Sequence, residues 1–189
     1  MFLITGFEPF TTGQGLVLTH NPTADIAQAL HAPESGVSGA VLPVSFTRTR
    51  KVLLSTVAEL QPRAWIGLGF APHRTTIDVE VVALNLEHAR SGDNDGDTPS
   101  LRPILPHGPD AYRSQGPVQE LCAALDAQGA AAQLSFHAGT FLCNQSFYLG
   151  CHAARGEGSL RWATFVHVPP MAAYDAFSAS LRDFCQRAQ

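Results

Sequence analysis

Short apolar runs alternate with amphipathic stretches along almost the whole chain. Five apolar runs have the length of buried strands: residues 2–5, 40–44, 64–68, 131–136 and 163–168. Five amphipathic stretches have the pattern of helices: residues 22–30, 46–60, 118–128, 144–154 and 173–187. This alternation is typical of an α/β domain. We therefore expect one open, twisted, largely parallel sheet with helices on both faces, formed by residues 1–189 as a single domain.

Residues 76–85 alternate like a strand but carry two carboxylates. Ile77 and Val79 fall on one face of such a strand, and Asp78 and Glu80 fall on the other. The pattern allows two interpretations: carboxylates solvated at a sheet edge, which pattern alone favours, or carboxylates held for a function. Residues 91–117, rich in Gly, Pro and Asp, lack a clear pattern and predict a surface excursion.

Composition and charge exclude several classes of protein. The chain has 189 residues, 45% of them hydrophobic and 15% charged, which is a globular composition. A net charge of -4 argues against nucleic acid or an anionic membrane as partner. No apolar run approaches the ~20 residues of a membrane span. The first residues lack the basic segment of a signal peptide, so we expect a cytoplasmic protein with four free cysteines.

Signals for metal or phosphate binding fail on spacing. The segment DNDGD has acidic residues at calcium-loop spacing, but Thr98 and Ile104 stand where an EF-hand needs glycine and glutamate. A polar turn is the better interpretation. The chain contains no H-E-x-x-H, no C-x-x-C and no phosphate-binding glycine motif. We expect no metal and no cofactor.

Three residues have the character of a thiol active site. Cys143 lies near the start of a predicted helix in AGTFLCNQSFY, where the helix dipole should lower the thiol pKa. His167 ends a predicted strand, and Glu80 is a candidate acid to orient its imidazole. If the strands before Cys143 and His167 are parallel, both side chains emerge at one sheet edge. A structural cysteine and a hydrogen-bonded edge histidine remain the alternatives.

Five collinear segments resemble the type I pyroglutamyl peptidases (pyrrolidone-carboxylate peptidases). They are TGFEPF with NPT, HRTTIDVEVVALNLEHAR, DNDGDTP, AGTFLCNQSFY and FVHVP, and they cover nearly the whole chain. The resemblance implies that Cys143 attacks the amide carbon after an N-terminal pyroglutamate, that His167 transfers the proton, and that Glu80 holds the imidazole. It also implies that the backbone N–H of Cys143 and the side chain of Arg90 stabilise the oxyanion.

A pocket for the flat, neutral lactam ring should be apolar and aromatic. The candidate walls are Phe7, Phe10, Phe141 and Leu142, for which ordinary core packing is the alternative. By resemblance Asn21 recognises the lactam carbonyl, although Asn21 before Pro22 also predicts a helix N-cap.

The segment GFAPHR departs from the resemblance. Phe70 stands where the family has a glutamine that receives the lactam N–H, and a phenylalanine side chain cannot accept that bond. Either a backbone carbonyl replaces it, or pyroglutamyl substrates are weak, or the acyl group differs. The alternatives to an exopeptidase acting on pyroglutamyl peptides are therefore an amidase or thioesterase of the same fold, and a catalytically silent binding homologue. Homo-oligomers are possible.

Overall fold

The computed structural model describes residues 1–11, 15, 17–127, 131–171 and 174–188. Its strands are β1 (Phe2–Phe7), β2 (Val37–Leu42), β3 (Ala64–Phe70), β4 (Ile77–Glu80), β5 (Val82–Leu84), β6 (Ala111–Arg113), β7 (Ala132–Ser135) and β8 (Trp162–Val168). Its α-helices are α1 (Pro22–Ala29), α2 (Phe46–Leu60), α3 (Val118–Asp126), α4 (Leu142–Ala153) and α5 (Tyr174–Arg187). A short 3-10 turn occupies Pro33–Ser35.

Six of these strands form one sheet in the order β2-β1-β3-β8-β4-β7. Four of the five neighbouring pairs are parallel, and the pair β4–β8 is antiparallel. The strands β4 and β7 therefore run against the other four. The remaining strands, β5 and β6, form a separate antiparallel ribbon. The expected largely parallel sheet is confirmed.

Alternate residues of each buried strand supply two separate cores, one on each face of the sheet. The first core joins Phe2, Ile4 and Ile66 to apolar residues of α1, α3 and α5. The second joins Leu3 and Trp65 to apolar residues of α2 and α4. Within the described residues the sheet thus has three helices on one face and two on the other, because its strands are apolar on both faces.

Local capping explains where two of the helices begin. Asn21 caps α1 with its side chain, which accepts from the Thr23 N–H, and Pro22 follows at the first helical position. Ser45 caps α2 by accepting from the Arg48 N–H at 3.1 Å. The Asp93 carboxylate accepts from the Phe46 N–H at 2.7 Å, so the predicted polar turn of DNDGD also serves the start of α2.

The predicted elements agree with the structure in type, and differ at their ends. The strand predicted at 40–44 is observed earlier, at Val37–Leu42, because the apolar alternation starts before the run itself. The helix predicted at 144–154 begins two residues earlier, at Leu142. Positions 128 and 173, predicted as helix ends, lie outside the described residues.

Residues 76–85 do not form the single strand that their alternation suggests. The chain leaves the main sheet after Glu80 and continues in the ribbon as β5. Asp78 is 5% exposed and Glu80 is fully buried, since β4 lies between β8 and β7. The interpretation of these carboxylates as solvated edge residues is therefore wrong. Residues 91–117 are also packed in part, with Ile104 and Ser114 buried.

Candidate active site

Cys143 lies in the first turn of α4, one residue after the helix begins at Leu142. The chain enters this turn through Gly139, whose φ of +79° is a left-handed conformation that favours glycine. The thiol packs against β3, since a Cβ added at Gly69 would lie 2.8 Å from the Cys143 Sγ. Gly69 is the register partner of His167 on β8. The thiol therefore lies beside the strand pair at the level of His167.

The route by which Cys143 arrives there differs from the expected one. β7 is parallel to β4, and β4 is antiparallel to β8, so β7 ends at the opposite edge from β8. The expectation that Cys143 and His167 follow parallel strands is wrong. The connection 136–141 instead carries the chain back across the sheet. Two bonds tie it down: the His88 N–H donates to the Thr140 carbonyl at 3.0 Å, and the Thr140 hydroxyl donates to the His88 carbonyl at 2.8 Å.

His167 and Glu80 form a buried pair across neighbouring strands. The Nδ1 of His167 donates to the Oε1 of Glu80 over 2.7 Å. His167 is 6% exposed and Glu80 is fully buried. Because Nδ1 is engaged by the carboxylate, Nε2 of the imidazole is the nitrogen left to exchange a proton. The predicted pairing of acid and imidazole is present in the structure.

A further residue, Arg74, joins this pair and was missed by the sequence reasoning. Its guanidinium donates to Glu80 at 2.9 Å, to the carboxylate of Asp78, and to the carbonyl of His137 at 3.1 Å. Arg74 thus links the acid on β4 to the connection that leads to Cys143. The sequence did contain a signal for Arg74. Asp78 and Glu80 stand two positions apart on one face of a strand, and two buried carboxylates in that arrangement need a cation.

Beside the thiol lies a small apolar pocket, about 290 Å³ when its open mouth is included. It is lined by every predicted substrate-binding residue, together with Cys143: Phe7, Phe10, Asn21, Phe70, Phe141 and Leu142. Val44 and Gly69 complete the wall and were not predicted. The structure therefore brings the aromatic side chains and the thiol to one place. Leu142 and Phe7 also belong to the second core, so packing and pocket are compatible roles.

Asn21 is the polar side chain of the pocket, and it is only 1% exposed. Its Oδ1 accepts from the Thr23 N–H at 3.1 Å and from the Thr23 hydroxyl at 2.8 Å. Its Nδ2 donates one hydrogen to the Glu8 carbonyl at 3.1 Å. Since an amide nitrogen carries two hydrogens, the bonds among the described residues leave one N–H of Asn21 without a partner. The capping role of Asn21 is thus observed, and its recognition of the lactam carbonyl stays a prediction.

Phe70 ends β3 at the pocket, where the sheet is incomplete on one side. The pairing of β1 with β3 stops at Gly67, whereas the pairing of β3 with β8 continues to Phe70. Among the residues that the structure describes, Leu68 to Phe70 thus have a paired strand on the β8 side alone. Backbone polar groups on the other side are available to a ligand in the pocket.

A larger cleft, about 1120 Å³ with its open mouth, continues from the pocket and shares Cys143, Phe10, Phe70 and Phe141 with it. His167 and Arg90 line this cleft. Arg90 is exposed, and its guanidinium makes no hydrogen bond or ion pair with any described residue. The predicted oxyanion donor is therefore on the wall of the cleft and is not engaged elsewhere in the described chain.

Comparison with known proteins decides the family. The model of the pyroglutamyl peptidase family matches residues 1–179. The chain belongs to the pyroglutamyl peptidase family. Its members are cysteine-type omega peptidases, as the resemblance of the five segments implied. A pyrrolidone-carboxylate peptidase of Pyrococcus furiosus is 39% identical over 170 residues, which is 88% of this chain and 79% of that protein.

Solved structures of the family agree with the fold. A mutant pyrrolidone carboxyl peptidase from P. furiosus superposes with a TM-score of 0.89 at 32% identity, covering 100% of this chain and 98% of that chain. The pyrrolidone carboxyl peptidase from Thermococcus litoralis gives the same TM-score of 0.89, also at 32% identity, and covers 100% of this chain and 96% of that chain. The chain is thus a pyroglutamyl peptidase along its whole length.

Electrostatics sets the charge state of the acid and the base in this pyroglutamyl peptidase site. Burial alone would raise the pKa of Glu80, but the His167 hydrogen bond and the charge of Arg74 hold it below its ordinary value. Burial lowers the pKa of His167, against the opposing effect of the Glu80 hydrogen bond. Glu80 is therefore a carboxylate, and His167 is a neutral imidazole, at neutral pH.

The thiol behaves differently from the expectation of a lowered pKa. Burial, reinforced by the negative charge of Glu80, raises the pKa of Cys143 to about 12, although Arg74 and the backbone N–H of Cys143 act in the opposite direction. The expectation from the helix dipole is wrong for the free protein, because desolvation outweighs the helix end. The resting site therefore holds a neutral thiol, a neutral imidazole and a carboxylate.

Among the described residues, no group of three or more His, Cys, Asp or Glu side chains is placed to hold a metal ion. Within the same residues, no helix has both the length and the apolar character needed to cross a bilayer.

Proposed function

We propose that this member of the family removes pyroglutamate from the N-terminus of peptides through a thioester on Cys143. One observation carries the proposal: the thiol lies against Gly69, at the register of His167, where the apolar pocket meets the polar cleft. A ring bound in the pocket brings its exocyclic carbonyl to Cys143. The leaving amine then points into the cleft that holds His167.

The charge states support a general-base route for the first step. Cys143 attacks the amide carbon while the free Nε2 of His167 takes the thiol proton, which forms the C–S bond and an oxyanion. The imidazolium gives that proton to the leaving nitrogen as the C–N bond breaks. Glu80 orients the ring and stabilises its positive charge between these two transfers. Water then attacks the thioester with His167 as base, releasing pyroglutamate and restoring the thiol.

The oxyanion requires donors placed where the negative charge develops. The N–H groups of a helix's first turn lack intrahelical partners, so the backbone N–H of Cys143 is suited to this role. Arg90 supplies a guanidinium from the wall of the same cleft. We propose these two groups as the oxyanion site.

The pocket supports recognition of a lactam by shape and two kinds of polar contact. Aromatic walls suit a flat ring, and Phe7, Phe10 and Phe141 provide them. The remaining N–H of Asn21 suits the lactam carbonyl. For the lactam N–H, which Phe70 cannot accept with its side chain, we propose a backbone carbonyl at the end of β3, where the β1 side of the strand is open.

The deciding experiment compares a pyroglutamyl amide with a prolyl amide of the same chromogenic amine. Proline has the ring size but lacks the ring carbonyl, so it is the matched control for recognition. We expect cleavage of the pyroglutamyl amide alone, and none by Cys143→Ala. Cleavage of neither amide, with a thiol that still reacts with an alkylating agent, would mean that the acyl group is a different one.

We also propose a cytoplasmic location and a single catalytic domain for residues 1–189. The four cysteines are all free, as a thiol enzyme in a reducing compartment requires. Association into homo-oligomers is a further proposal, supported by the exposed apolar side chains of Leu101 and Phe136, which are 70% and 68% exposed. Sedimentation of the protein measures it.

A further inference from the structure

The cleft lies on the other side of Cys143 from the apolar pocket, and its walls carry positive charge although the chain as a whole is acidic. The sequence has 16 acidic and 12 basic residues, excluding histidine. The described residues that line the cleft nevertheless include no carboxylate. They include two arginines and four histidines: Arg74, Arg90, His73, His88, His137 and His167.

Not all of these groups are available to a ligand. Arg74 is matched by Asp78 and Glu80, and His167 is held by Glu80. Arg90 is exposed and has no ion pair within the described residues. His73 and His137 are also exposed on the cleft wall. The available set therefore consists of one permanent cation and exposed imidazoles, which donate hydrogen bonds when neutral and carry charge when protonated.

Nearby acidic residues do not cancel this charge. Asp95 is paired with Arg48 at 2.8 Å, and Asp97 with Arg102 at 2.8 Å. Asp93 is 8% exposed and accepts from backbone N–H groups of its own turn and of α2. Each carboxylate of this loop thus has its own partner outside the cleft.

His88 lines the cleft with a half-buried ring. Its Nδ1 is buried and has no hydrogen-bond partner among the described residues, so this atom is not presented to a ligand in the cleft. His88 therefore contributes wall surface rather than an available polar group.

From these observations we infer that the cleft is a subsite for the residue that follows pyroglutamate, and that it favours an anionic side chain there, aspartate or glutamate. The inference rests on the proposed function, because a lactam ring in the pocket directs the next residue into the cleft. A carboxylate at that residue meets the exposed imidazoles and the positive charge of Arg90, whose guanidinium has five N–H donors and can serve the oxyanion as well. A lysine there meets the same positive charge and no carboxylate among the described lining residues.

The expected selectivity is moderate. An exposed ion pair changes an equilibrium by about fivefold at most, and two such contacts by roughly tenfold or somewhat more. We therefore expect kcat/KM for pyroglutamyl-glutamate peptides to exceed that for pyroglutamyl-glutamine peptides by about 10-fold at low salt. The ratio should fall towards one at about 0.5 M salt, because salt screens exposed charges.

Three peptides of identical length test this, with glutamate, glutamine or lysine after pyroglutamate, followed by alaninamide. Glutamine is isosteric with glutamate, so the ratio of the two isolates charge. The expected order of kcat/KM is glutamate, then glutamine, then lysine. Hydrolysis of the glutamine peptide tests the proposed function, and the ratios of kcat/KM among the three peptides test the subsite. Calorimetry measures the affinity of Cys143→Ala for the same peptides, so the subsite is tested even if no peptide is hydrolysed.

His73→Glu places a negative charge on one wall without removing a described hydrogen bond. We expect this variant to hydrolyse the glutamine peptide with a kcat/KM within about twofold of wild type. It should lower the glutamate-to-glutamine ratio of kcat/KM at least threefold and raise kcat/KM for the lysine peptide. His107→Glu, an exposed histidine outside the cleft, makes the same charge change as a control and should leave the ratios unchanged. Equal rates and equal binding for glutamate and glutamine, unaffected by His73→Glu, would overturn the inference.

Discussion

The pocket and the cleft meet at Cys143, yet they are built in different ways. The pocket lies between strand ends and the start of α4, and its walls are aromatic with one polar side chain, Asn21. The cleft lies between loops, and its walls carry arginine and histidine. In the proposed mechanism, the two halves of one substrate are selected by different physical effects. There, shape and burial select the acyl group, and charge selects the leaving group.

The same contrast applies to rigidity. Pocket residues such as Phe7 and Leu142 are buried members of a core, so their positions are fixed by packing. His73 and Arg90 are exposed on loops, and their side chains make no hydrogen bond with a described residue. His137 is also exposed, but its ring accepts from the Gly139 N–H at 3.0 Å and its carbonyl accepts from Arg74 at 3.1 Å. Selectivity for the ring should therefore be steep, and selectivity for the next residue should be graded.

The Cys143 thiol lines both the pocket and the cleft, and its replacement removes the nucleophile that both regions serve. Cys143→Ala should lower kcat/KM at least about 10³-fold, since the thioester cannot form. Steady-state hydrolysis of a pyroglutamyl amide measures it. Cys122→Ala, which removes a half-buried thiol on α3, is the matched control and should keep wild-type activity. Full turnover by Cys143→Ala would contradict the mechanism.

Arg74 acts between the two regions, on the pair of His167 and Glu80. Arg74→Gln should lower kcat about 10- to 100-fold with little change in KM, because Glu80 loses its second anchor. Arg74→Lys keeps the charge and should restore part of the rate. Since an unpaired buried carboxylate is costly, Arg74→Gln should also unfold at a lower temperature than Arg74→Gln/Asp78→Asn, which keeps the net charge of the cluster.

The pH profile of kcat/KM distinguishes an effect of Arg74 on the His167 pKa from a general loss of structure. Burial lowers the pKa of His167, so the acidic limb of kcat/KM should have its midpoint below the ~6.5 of an ordinary histidine. The positive charge of Arg74 acts in the same direction as burial. Its removal therefore raises the pKa of His167 and should move the acidic limb to higher pH. A lower rate with an unmoved limb would leave Arg74 a structural role only.

Within the pocket, Asn21→Ser separates recognition from capping. A serine hydroxyl can still cap α1, so the substitution should lower the free energy of unfolding by no more than about 1 kcal/mol. The amide N–H left for the lactam carbonyl is lost, and kcat/KM should fall about 10- to 100-fold, chiefly through KM. Thermal unfolding and hydrolysis of a pyroglutamyl amide measure the two effects. An unchanged KM would remove Asn21 from recognition.

The smallest expected effect belongs to Phe70→Gln. If the backbone at the end of β3 receives the lactam N–H, a glutamine side chain adds little, and kcat/KM should change less than about 10-fold. The ratio of pyroglutamyl to prolyl amide hydrolysis is the measurement. A gain well above 10-fold would show that the wild-type pocket leaves the N–H unpaired.

Much of the fold was predictable because its signals are local. Apolar runs predict β1, β3 and β8 to within two residues at each end, since buried parallel strands are apolar on both faces. The direction of β4 and β7 was not predictable, because strand direction depends on pairing across the whole sheet. Because of that reversal, the path expected for the chain leading to Cys143 was wrong. The side chains expected near Cys143, those of His167 and Glu80, nevertheless lie on that side of the site.

The site was predictable in its residues and not in its energetics. The five segments contain Cys143, His167, Glu80 and all the predicted pocket residues except Phe70, and the structure brings these residues together. Their roles in the reaction stay predictions. The sequence cannot show how deeply a thiol is buried, and desolvation reverses the expected shift of the Cys143 pKa. Arg74 was missed because its three acceptors, on Asp78, Glu80 and His137, come together only in the folded chain.

The position of β8 in the sheet has a consequence for biosynthesis. His167 and Glu80 are 87 residues apart in sequence, and β8 fills the gap between β3 and β4 near the end of the chain. A growing chain that has not yet released β8 from the ribosome has neither the imidazole nor a continuous sheet. We therefore expect hydrolytic activity only after β8 has left the ribosome, and no activity from a chain that ends before His167.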